Sequence, residues 1–181
     1  MDRRIIKTRK EIINAFMKLL KKKGFEKITI QDIADEADIN RGTVYLHFED
    51  KYAIMDYCID SYVGKLLENC APGEEIVLKK EAFNAIFNYL GENLDIYKLL
   101  LENDKNNSFN QKLKATVESQ TEMAVGHMVK SDGASAEIYT QFLVAGFLGV
   151  IDWWIRNYPA CTAEEATGIL FSMVTHITAI E

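Results

Sequence analysis

The sequence predicts an all-α fold of about nine helices, with an N-terminal helix-turn-helix head of three helices and a C-terminal helical bundle that dimerises. Apolar residues recur at three- and four-residue spacing along most of the 181 residues. Two prolines and ten glycines are too few for the turns of a multi-stranded sandwich or barrel. With 48% hydrophobic and 27% charged residues, the chain can bury a core and is not expected to be disordered.

The first predicted helix spans residues 8–23, with Thr8 as its expected cap and Glu11 as the capping-box partner. Its apolar stripe consists of Ile12, Ile13, Phe16, Leu19 and Leu20. Gly24 favours a stop with positive φ, and Phe25 is placed to fold back onto the helix.

Two short helices follow, over residues 30–37 and 41–48, joined by a turn at residues 38–40. Thr29 is the expected cap of the first of them. The outward face of the second carries Arg41, Gly42, Thr43, Tyr45, Leu46 and His47. Two short helices with a tight turn, the second polar and aromatic on its outer side, are typical of a helix-turn-helix.

These side chains suit a helix that lies in the major groove, where its first residues reach base edges. Arg41 can read guanine or hold a phosphate, Gly42 permits a close approach, and Thr43 can contact a base. Tyr45 and His47 end in donors suited to phosphate oxygens. Ordinary roles stay open, Tyr45 as a half-buried core aromatic and His47 as a surface histidine.

The segment TIQDIADEADINRGTVYLHFEDK, residues 29–51, resembles the DNA-binding segment of the TetR family of bacterial regulators. The resemblance extends over roughly residues 8–60. Its most specific part is Gly42-Thr-Val-Tyr-x-His-Phe48, followed by Asp50-Lys51.

The resemblance implies a role for each matching residue. Those implied to face base edges are Arg41, Gly42, Thr43 and Leu46. Those implied to hold phosphates are Thr29, Tyr45, His47 and Lys51. Many relatives have an aromatic or polar residue in place of Leu46, so two roles stay open there: reading a base through its methyl groups, or packing.

Six helices are predicted in the body of the chain, over residues 50–69, 78–92, 94–102, 108–129, 137–158 and from 163 to the C-terminus. Asp50 is the expected cap of the first. Ser108 with Gln111, and Thr162 with Glu165, have the spacing of capping boxes.

The helix over residues 137–158 is apolar nearly all round between Phe142 and Ile151, so it needs cover on more than one side. A second copy of the chain provides this cover if the last two helices of each subunit form a four-helix bundle. The resemblance implies the same arrangement. The expected interface residues are Ala145, Gly146, Gly149, Trp153, Ile169, Met173 and Ile177. A monomer with a deeply buried central helix is the alternative.

The resemblance also implies an effector site inside the body. Its candidate residues are Phe83, Phe87, Tyr97, Gln120, Met123, His127, Tyr139 and Phe142. A mostly apolar wall with few polar groups suits a small hydrophobic or amphipathic effector. The same aromatic and methionine side chains are equally typical of an ordinary core.

The net charge of −6 conceals an asymmetry between two expected domains. Residues 1–51, the DNA-binding domain, carry +3, and residues 52–181, the ligand-binding and dimerisation domain, carry −9. The basic excess lies where double-stranded DNA is expected to bind.

Other classes of protein are disfavoured. The start of the chain leads to no apolar run of signal-peptide type, and the longest apolar run has ten residues where a membrane span needs about 20. We therefore expect a cytoplasmic protein that does not bind membranes. Cysteine and histidine residues lack metal-ligand or catalytic spacing, so no metal, cofactor or enzymatic activity is expected.

The predicted function is a sequence-specific transcriptional regulator, a ligand-responsive repressor that binds a near-palindromic operator as a homodimer. The alternative is a TetR-like activator or adaptor that is controlled by a protein partner instead of a small-molecule inducer.

Overall fold

A computed structural model of the chain describes residues 3–70, 79–128 and 134–178, with the backbone alone described at 67, 69, 70, 119, 120, 122–128, 177 and 178. Within these ranges the regular structure is entirely helical, which confirms the predicted all-α fold. The helices are α1 (Arg3–Lys23), α2 (Ile30–Glu36), α3 (Arg41–Tyr45), α4 (Lys51–Cys70), α5 (Lys80–Glu92), α6 (Leu94–Asn103), α7 (Ser108–Met128), α8 (Ala134–Asn157) and α9 (Ala163–Thr178). A 3-10 turn, Phe25–Lys27, separates α1 from α2.

Two predicted helix caps are wrong. α1 begins at Arg3, so Thr8 is an internal residue and not a cap, and Glu11 lies 3.7 Å from Lys7 in an i,i+4 ion pair instead. The predicted Ser108 cap of α7 is also displaced, because the Asp104 carboxylate accepts from the N–H groups of Ser108 and Phe109, at 2.9 and 2.6 Å. At α7 the Asp104 side chain thus binds first-turn N–H groups that the local pattern assigned to Ser108.

The other predicted caps are confirmed. The hydroxyl of Thr162 accepts from the N–H of Glu165 at 3.2 Å, and the Glu165 carboxylate accepts from the Thr162 N–H at 2.8 Å. The Asp50 carboxylate accepts from the Ala53 N–H at 2.8 Å at the start of α4. Each of these pairs binds N–H groups that the first turn of a helix leaves without intrahelical partners.

The head is built around the inner stripe of α1. Ile12, Phe16 and Leu20 are completely or almost completely buried in the core, where α1 contacts α2 and α4. Gly24 ends α1 with φ +72°, and Phe25 then packs edge-to-face on Phe16 with ring centroids 6.3 Å apart. The predicted stop and its hydrophobic contact are confirmed.

The body is centred on buried aromatic residues between α4 and α8. The Tyr97 hydroxyl donates to the Tyr62 carbonyl at 2.9 Å, and the Trp154 indole N–H donates to the Cys161 carbonyl at 2.9 Å. Phe87 packs on Trp154 with centroids 5.3 Å apart. α4 contributes to the head core and to the body core, so it is a continuous helical link between them.

Candidate nucleic-acid interface

The start of α2 is held by a reciprocal cap. The Thr29 hydroxyl accepts from the Asp32 N–H at 3.2 Å, and the Asp32 carboxylate accepts from the Thr29 N–H at 2.8 Å. The Lys23 ammonium lies 2.8 Å from the same carboxylate. The hydrogen bond from Lys23 and then those from Thr29 lower the pKa of Asp32 to about 2. The exposed residue Thr29, predicted to hold a phosphate, sits on this fixed turn and donates its hydroxyl proton to the Asp32 carboxylate at 2.6 Å, so a phosphate has to displace that bond.

The turn into α3 is equally well defined. Asp38 adopts φ +53°, and the half-buried Ile39 packs against the core with its N–H bonded to the Ala34 carbonyl at 3.0 Å. The Asn40 carboxamide oxygen then accepts from the Gly42 N–H at 2.7 Å. A Cβ on Gly42 would lie 3.2 Å from that oxygen and would crowd the Asn40 cap. Glycine therefore permits this hydrogen bond and leaves the start of α3 open to a binding partner.

α3 ends at Tyr45 and not at Phe48 as predicted, because the His47 N–H bonds to the Val44 carbonyl, three residues back, at 3.0 Å and residues 46 and 47 form a turn. Residues 41–48 nevertheless have a buried side and an exposed side, as predicted. Val44 and Phe48 are buried in the head core. Leu46 is 85% exposed and Tyr45 is 46% exposed, so neither is a core residue of the protomer. Arg41 donates to the Tyr45 hydroxyl at 3.0 Å. Packing within the protomer is thereby excluded as the role of Leu46.

The remaining predicted residues of α3 lie at the edges of this exposed side. Gly42 is exposed, and Thr43 and His47 are half-buried. All six outward residues predicted from the sequence thus remain at least partly accessible around one short, capped helix.

Lys51 does not lie as the resemblance implied. Its ammonium donates to the carbonyls of Phe25, Glu26 and Ile28, at 3.0, 3.1 and 3.1 Å. An ammonium has three protons, so these bonds use all of them. Its side chain therefore holds the turn between α1 and α2, and the predicted phosphate contact of Lys51 stays a prediction for its backbone N–H.

The α6–α7 corner also contacts the head, which the sequence did not reveal. The Asn103 carboxamide oxygen accepts from the Phe25 N–H at 3.0 Å, and Lys105 pairs with Glu26. The hydrogen bond and charge of Lys105 lower the pKa of Glu26. The two residues of each contact are 78 or 79 positions apart in the sequence, so no local sequence pattern predicts these contacts. The Asn40 cap, by contrast, has a local signal, since asparagine before a helix is a preferred cap.

The candidate effector residues are not gathered around one described cavity. Phe83, Phe87 and Tyr97 are buried in the body core, Tyr139 is half-buried, and Phe142 is 60% exposed. The side chains of the other three candidates, Gln120, Met123 and His127, lie outside the described residues. Three described hollows, of about 450, 170 and 400 Å³, are lined by other residues.

The predicted interface residues whose side chains are described are exposed on α8 and α9. On α8 these are Ala145, Gly146, Gly149 and Trp153, and all four are exposed. Ile169 and Met173 on α9 are each 55% exposed, and the Ile177 side chain is outside the described residues. A Cβ placed on Gly146 or Gly149 would meet nothing within 4 Å.

α8 is also long and apolar enough, by length and composition alone, to cross a membrane. In its most apolar stretch of 18 residues, 22% is buried. The helix packs through Leu143, Val144, Ile151, Trp154 and Ile155, which are buried. The core helix of a soluble protein passes the same test.

Two family models match most of the chain. Residues 12–58 match the model for bacterial regulatory proteins of the tetR family, and residues 80–176 match a transcriptional regulator C-terminal region of the TetR type. The chain belongs to the TetR family. It is therefore a DNA-binding transcriptional regulator and not an enzyme, as the sequence predicted.

Curated TetR-family relatives match parts of the chain. The uncharacterized regulator YerO of Bacillus subtilis is 30% identical over 90 residues, 50% of this chain and 31% of YerO. The probable acrEF/envCD operon repressor of Escherichia coli is 44% identical over 51 residues, 28% of this chain and 23% of that protein. The alignments to curated relatives thus span less than half of those proteins.

Solved TetR-type structures cover almost the whole chain. A TetR regulator from Streptococcus agalactiae has a TM-score of 0.75 at 26% identity, over 96% of both chains. SmeT in complex with triclosan has a TM-score of 0.69 at 16% identity, over 94% of this chain and 90% of that one. The second similarity shows the fold alone.

Proposed function

We propose that this TetR-family regulator is a cytoplasmic, ligand-responsive repressor that binds a near-palindromic operator as a homodimer. The exposed side of α3 is the observation that carries the proposal. Val44 and Phe48 fix the helix in the head, and Arg41, Tyr45 and Leu46 face outward. A short helix that is buried on one side and exposed on the other can enter the major groove with its exposed side chains.

The exposed side chains divide by their chemistry. Arg41, Thr43 and Leu46 are assigned to base edges, with the Leu46 methyl groups suited to a thymine methyl. Gly42 has no side chain and therefore permits a close approach of the start of α3 to the DNA. Thr29, Tyr45 and His47 are assigned to phosphates, together with the backbone N–H of Lys51 at the positive end of α4.

The exposed apolar surface of α8 and α9 supports the homodimer. Ile138, Phe142 and Trp153 of α8 and Ile169 and Met173 of α9 expose 49 to 69% of their surfaces. A monomer rarely leaves so much contiguous apolar surface in water. Two copies of α8 and α9 packed about a two-fold axis cover it, and the two glycines let the helices approach closely.

Contacts between body and head support control of DNA binding from the body. α6 meets the head near both of its ends, through Asp95, 3.6 Å from the Lys21 ammonium, and through Asn103 on Phe25. α6 also packs on α8, which carries the proposed dimer face. A rearrangement of the body therefore reaches the turn that precedes α2.

The effector is proposed to be a small hydrophobic or amphipathic molecule. The fold relative SmeT binds triclosan, a compound of this kind. Because Phe83, Phe87 and Tyr97 are packed in the body core, a ligand that lies among them must bind a conformation in which their rings have moved apart. Such a ligand weakens DNA binding only by favouring a conformation that fits the operator less well.

Selection of bound DNA from a random pool tests this function. We expect a near-palindromic motif whose half-sites lie about one helical turn, 34–36 Å, apart. A thermal-shift screen of apolar compounds, followed by operator release, tests the effector. Recovery of no common motif would contradict sequence-specific binding, and a protein that no compound stabilises or releases from DNA would favour control by a protein partner.

A further inference from the structure

The recognition segment, residues 41–48, is too short to fix its own orientation. α3 itself has five residues, Arg41–Tyr45, and residues 46 and 47 form a turn before Phe48. A helix of this length is not stable by itself in water, so its neighbours determine where it points. α2 contacts α3, and Phe48 is buried in the head core at the other end of the segment. The angle at which the exposed side of α3 meets a base pair therefore depends on what holds Phe48.

Arg9 of α1 contacts Phe48 together with a residue of α4. Its guanidinium carbon lies 5.0 Å from the centroid of the Phe48 ring and 4.7 Å from that of the Tyr57 ring. The two rings pack edge-to-face with centroids 5.6 Å apart. Both distances from Arg9 are within the range of a cation–π contact, about 6 Å. One side chain of α1 thus contacts the end of the recognition segment and the link helix α4 at the same time.

The surroundings of Arg9 indicate that these ring contacts hold it in place. Its side chain is half-buried, and within the described part of the chain its Nε is buried without a hydrogen-bond partner. Burial of such a polar group costs free energy, which the contacts with the two rings have to offset. A guanidinium is planar and stacks on aromatic faces, whereas the ammonium of lysine is a compact point charge. Arginine therefore fits this place better than lysine.

We propose that Arg9 is a positioning residue for base recognition, which fixes the angle between the recognition segment and α4 through Phe48 and Tyr57. The inference rests on the proposed function of α3 and goes beyond it, because it gives a role in specificity to a residue outside the helix-turn-helix that reads no base itself. Hydrogen bonds to base edges are directional, so a tilt of α3 weakens base contacts while charge attraction to the phosphates persists. α4 also contributes to the body core, so a rearrangement of α4 reaches α3 through this contact.

The ratio of affinity for the operator to affinity for unrelated DNA tests this role. Arg9→Lys keeps the charge and removes the planar group from the two rings. Arg3→Lys is the matched control, because it is the same change on an exposed residue of the same helix. Tyr57→Leu removes one of the two rings, and Tyr57→Phe keeps it. Thermal unfolding of each variant checks that it is folded at the temperature of the binding measurement.

We expect Arg9→Lys and Tyr57→Leu each to lower this ratio about five-fold. That is a factor of about 2.3 in each of two subunits, the lower end of what one cation–π contact contributes. Affinity for unrelated DNA and its salt slope should keep the wild-type values, because no phosphate contact is lost. The double variant should lose no more than one single variant does, since both changes break the same contact. Arg3→Lys and Tyr57→Phe should have the wild-type ratio.

A folded Arg9→Lys protein with the wild-type ratio would overturn the inference. Equal weakening on the operator and on unrelated DNA would also overturn it, because Arg9 would then act on folding or on phosphates. Losses that add in the double variant would show that Arg9 and Tyr57 act separately, which contradicts it as well. None of these results affects the proposed function. A ratio near one for the wild type would instead contradict sequence-specific binding, and this inference with it.

Discussion

Lys51 shows how far one side chain can be read from sequence. Its position at the start of α4 and the resemblance to known regulators predicted that it binds a DNA phosphate. The structure instead surrounds its ammonium with three carbonyls of residues 25–28. These carbonyls converge only when the turn after α1 packs against α4, and no spacing in the sequence encodes that approach.

The first prediction separates the two roles of Lys51. Lys51→Ala should lower the free energy of unfolding by about 2 kcal/mol, because it leaves part-buried carbonyls without a charged donor. The salt slope of operator binding should stay at the wild-type value. Chemical denaturation and titration at several salt concentrations measure the two quantities. A slope that falls by about 0.9 per subunit would show that the ammonium leaves the carbonyls for a phosphate.

Arg41 is the residue most directly assigned to base recognition. Arg41→Ala should cost about 1–3 kcal/mol on the best operator and relax preference at one base pair of each half-site. Stability should be nearly unchanged, because the side chain is exposed. Competition between single-base operator variants measures the preference. Equal weakening on every sequence would make Arg41 a phosphate contact instead.

At the scale of elements, the short helices of the head were predicted well because their signals are local. Thr29 with Asp32 and Gly24 with Phe25 are pairs one turn or less apart, and both behave as expected. The start of α1 was misplaced because Thr8 and Glu11 fit a cap and also fit the interior of a longer helix. The α6 contact with the head was missed because its partners are far apart in sequence.

The cap of α2 predicts an acid-sensitive element. The pKa of Asp32 is lowered to about 2 in the folded protein, against about 3.9 in an unfolded chain. Its ionised carboxylate therefore stabilises the fold above pH 4, and this contribution disappears as the pH falls from 4 towards 2. Asp32→Asn should remove part of the decline in thermal stability over that interval. The same decline in both proteins would show that other carboxylates cause it.

The α6–α7 corner predicts a link between the body and DNA affinity. Asn103→Ala removes the acceptor for the Phe25 N–H and should weaken operator binding several-fold, about 1 kcal/mol, because the head is held less firmly. The salt slope should not change, since no phosphate contact is lost. Asn106→Ala, in the same corner, is the matched control. Equal affinities for Asn103→Ala, the control and the wild type would mean that α4 alone positions the head.

At the scale of the whole molecule, the division of charge and the exposed side of α8 have one explanation. Residues 1–51 have an excess of basic residues, and large apolar side chains of α8 and α9 are left exposed. The sequence predicted this face because a helix apolar nearly all round needs more cover than one small domain supplies. The effector site that the resemblance implied stays a prediction, since buried aromatic residues have the same sequence pattern whether they line a pocket or fill a core.

Gly149 tests the proposed dimer. A leucine there meets no atom of its own protomer near its Cβ, so the monomer should remain folded. In a packed α8–α9 interface the same side chain should force the subunits apart, and sedimentation should show a monomer. Gly64→Leu is the control, because its Cβ also meets nothing within 4 Å and it lies on α4, away from that face. A Gly149→Leu protein that is still dimeric would place the interface elsewhere.

The central claim is that two copies of α3, held by one dimer, read two half-sites on the same side of the duplex. Affinity for the selected operator, compared with the same operator carrying about five extra base pairs between its half-sites, tests it most directly, because half a helical turn moves one half-site to the opposite side. We expect the insertion to reduce binding to the level of unrelated DNA. Undiminished affinity for the lengthened operator would contradict the claim.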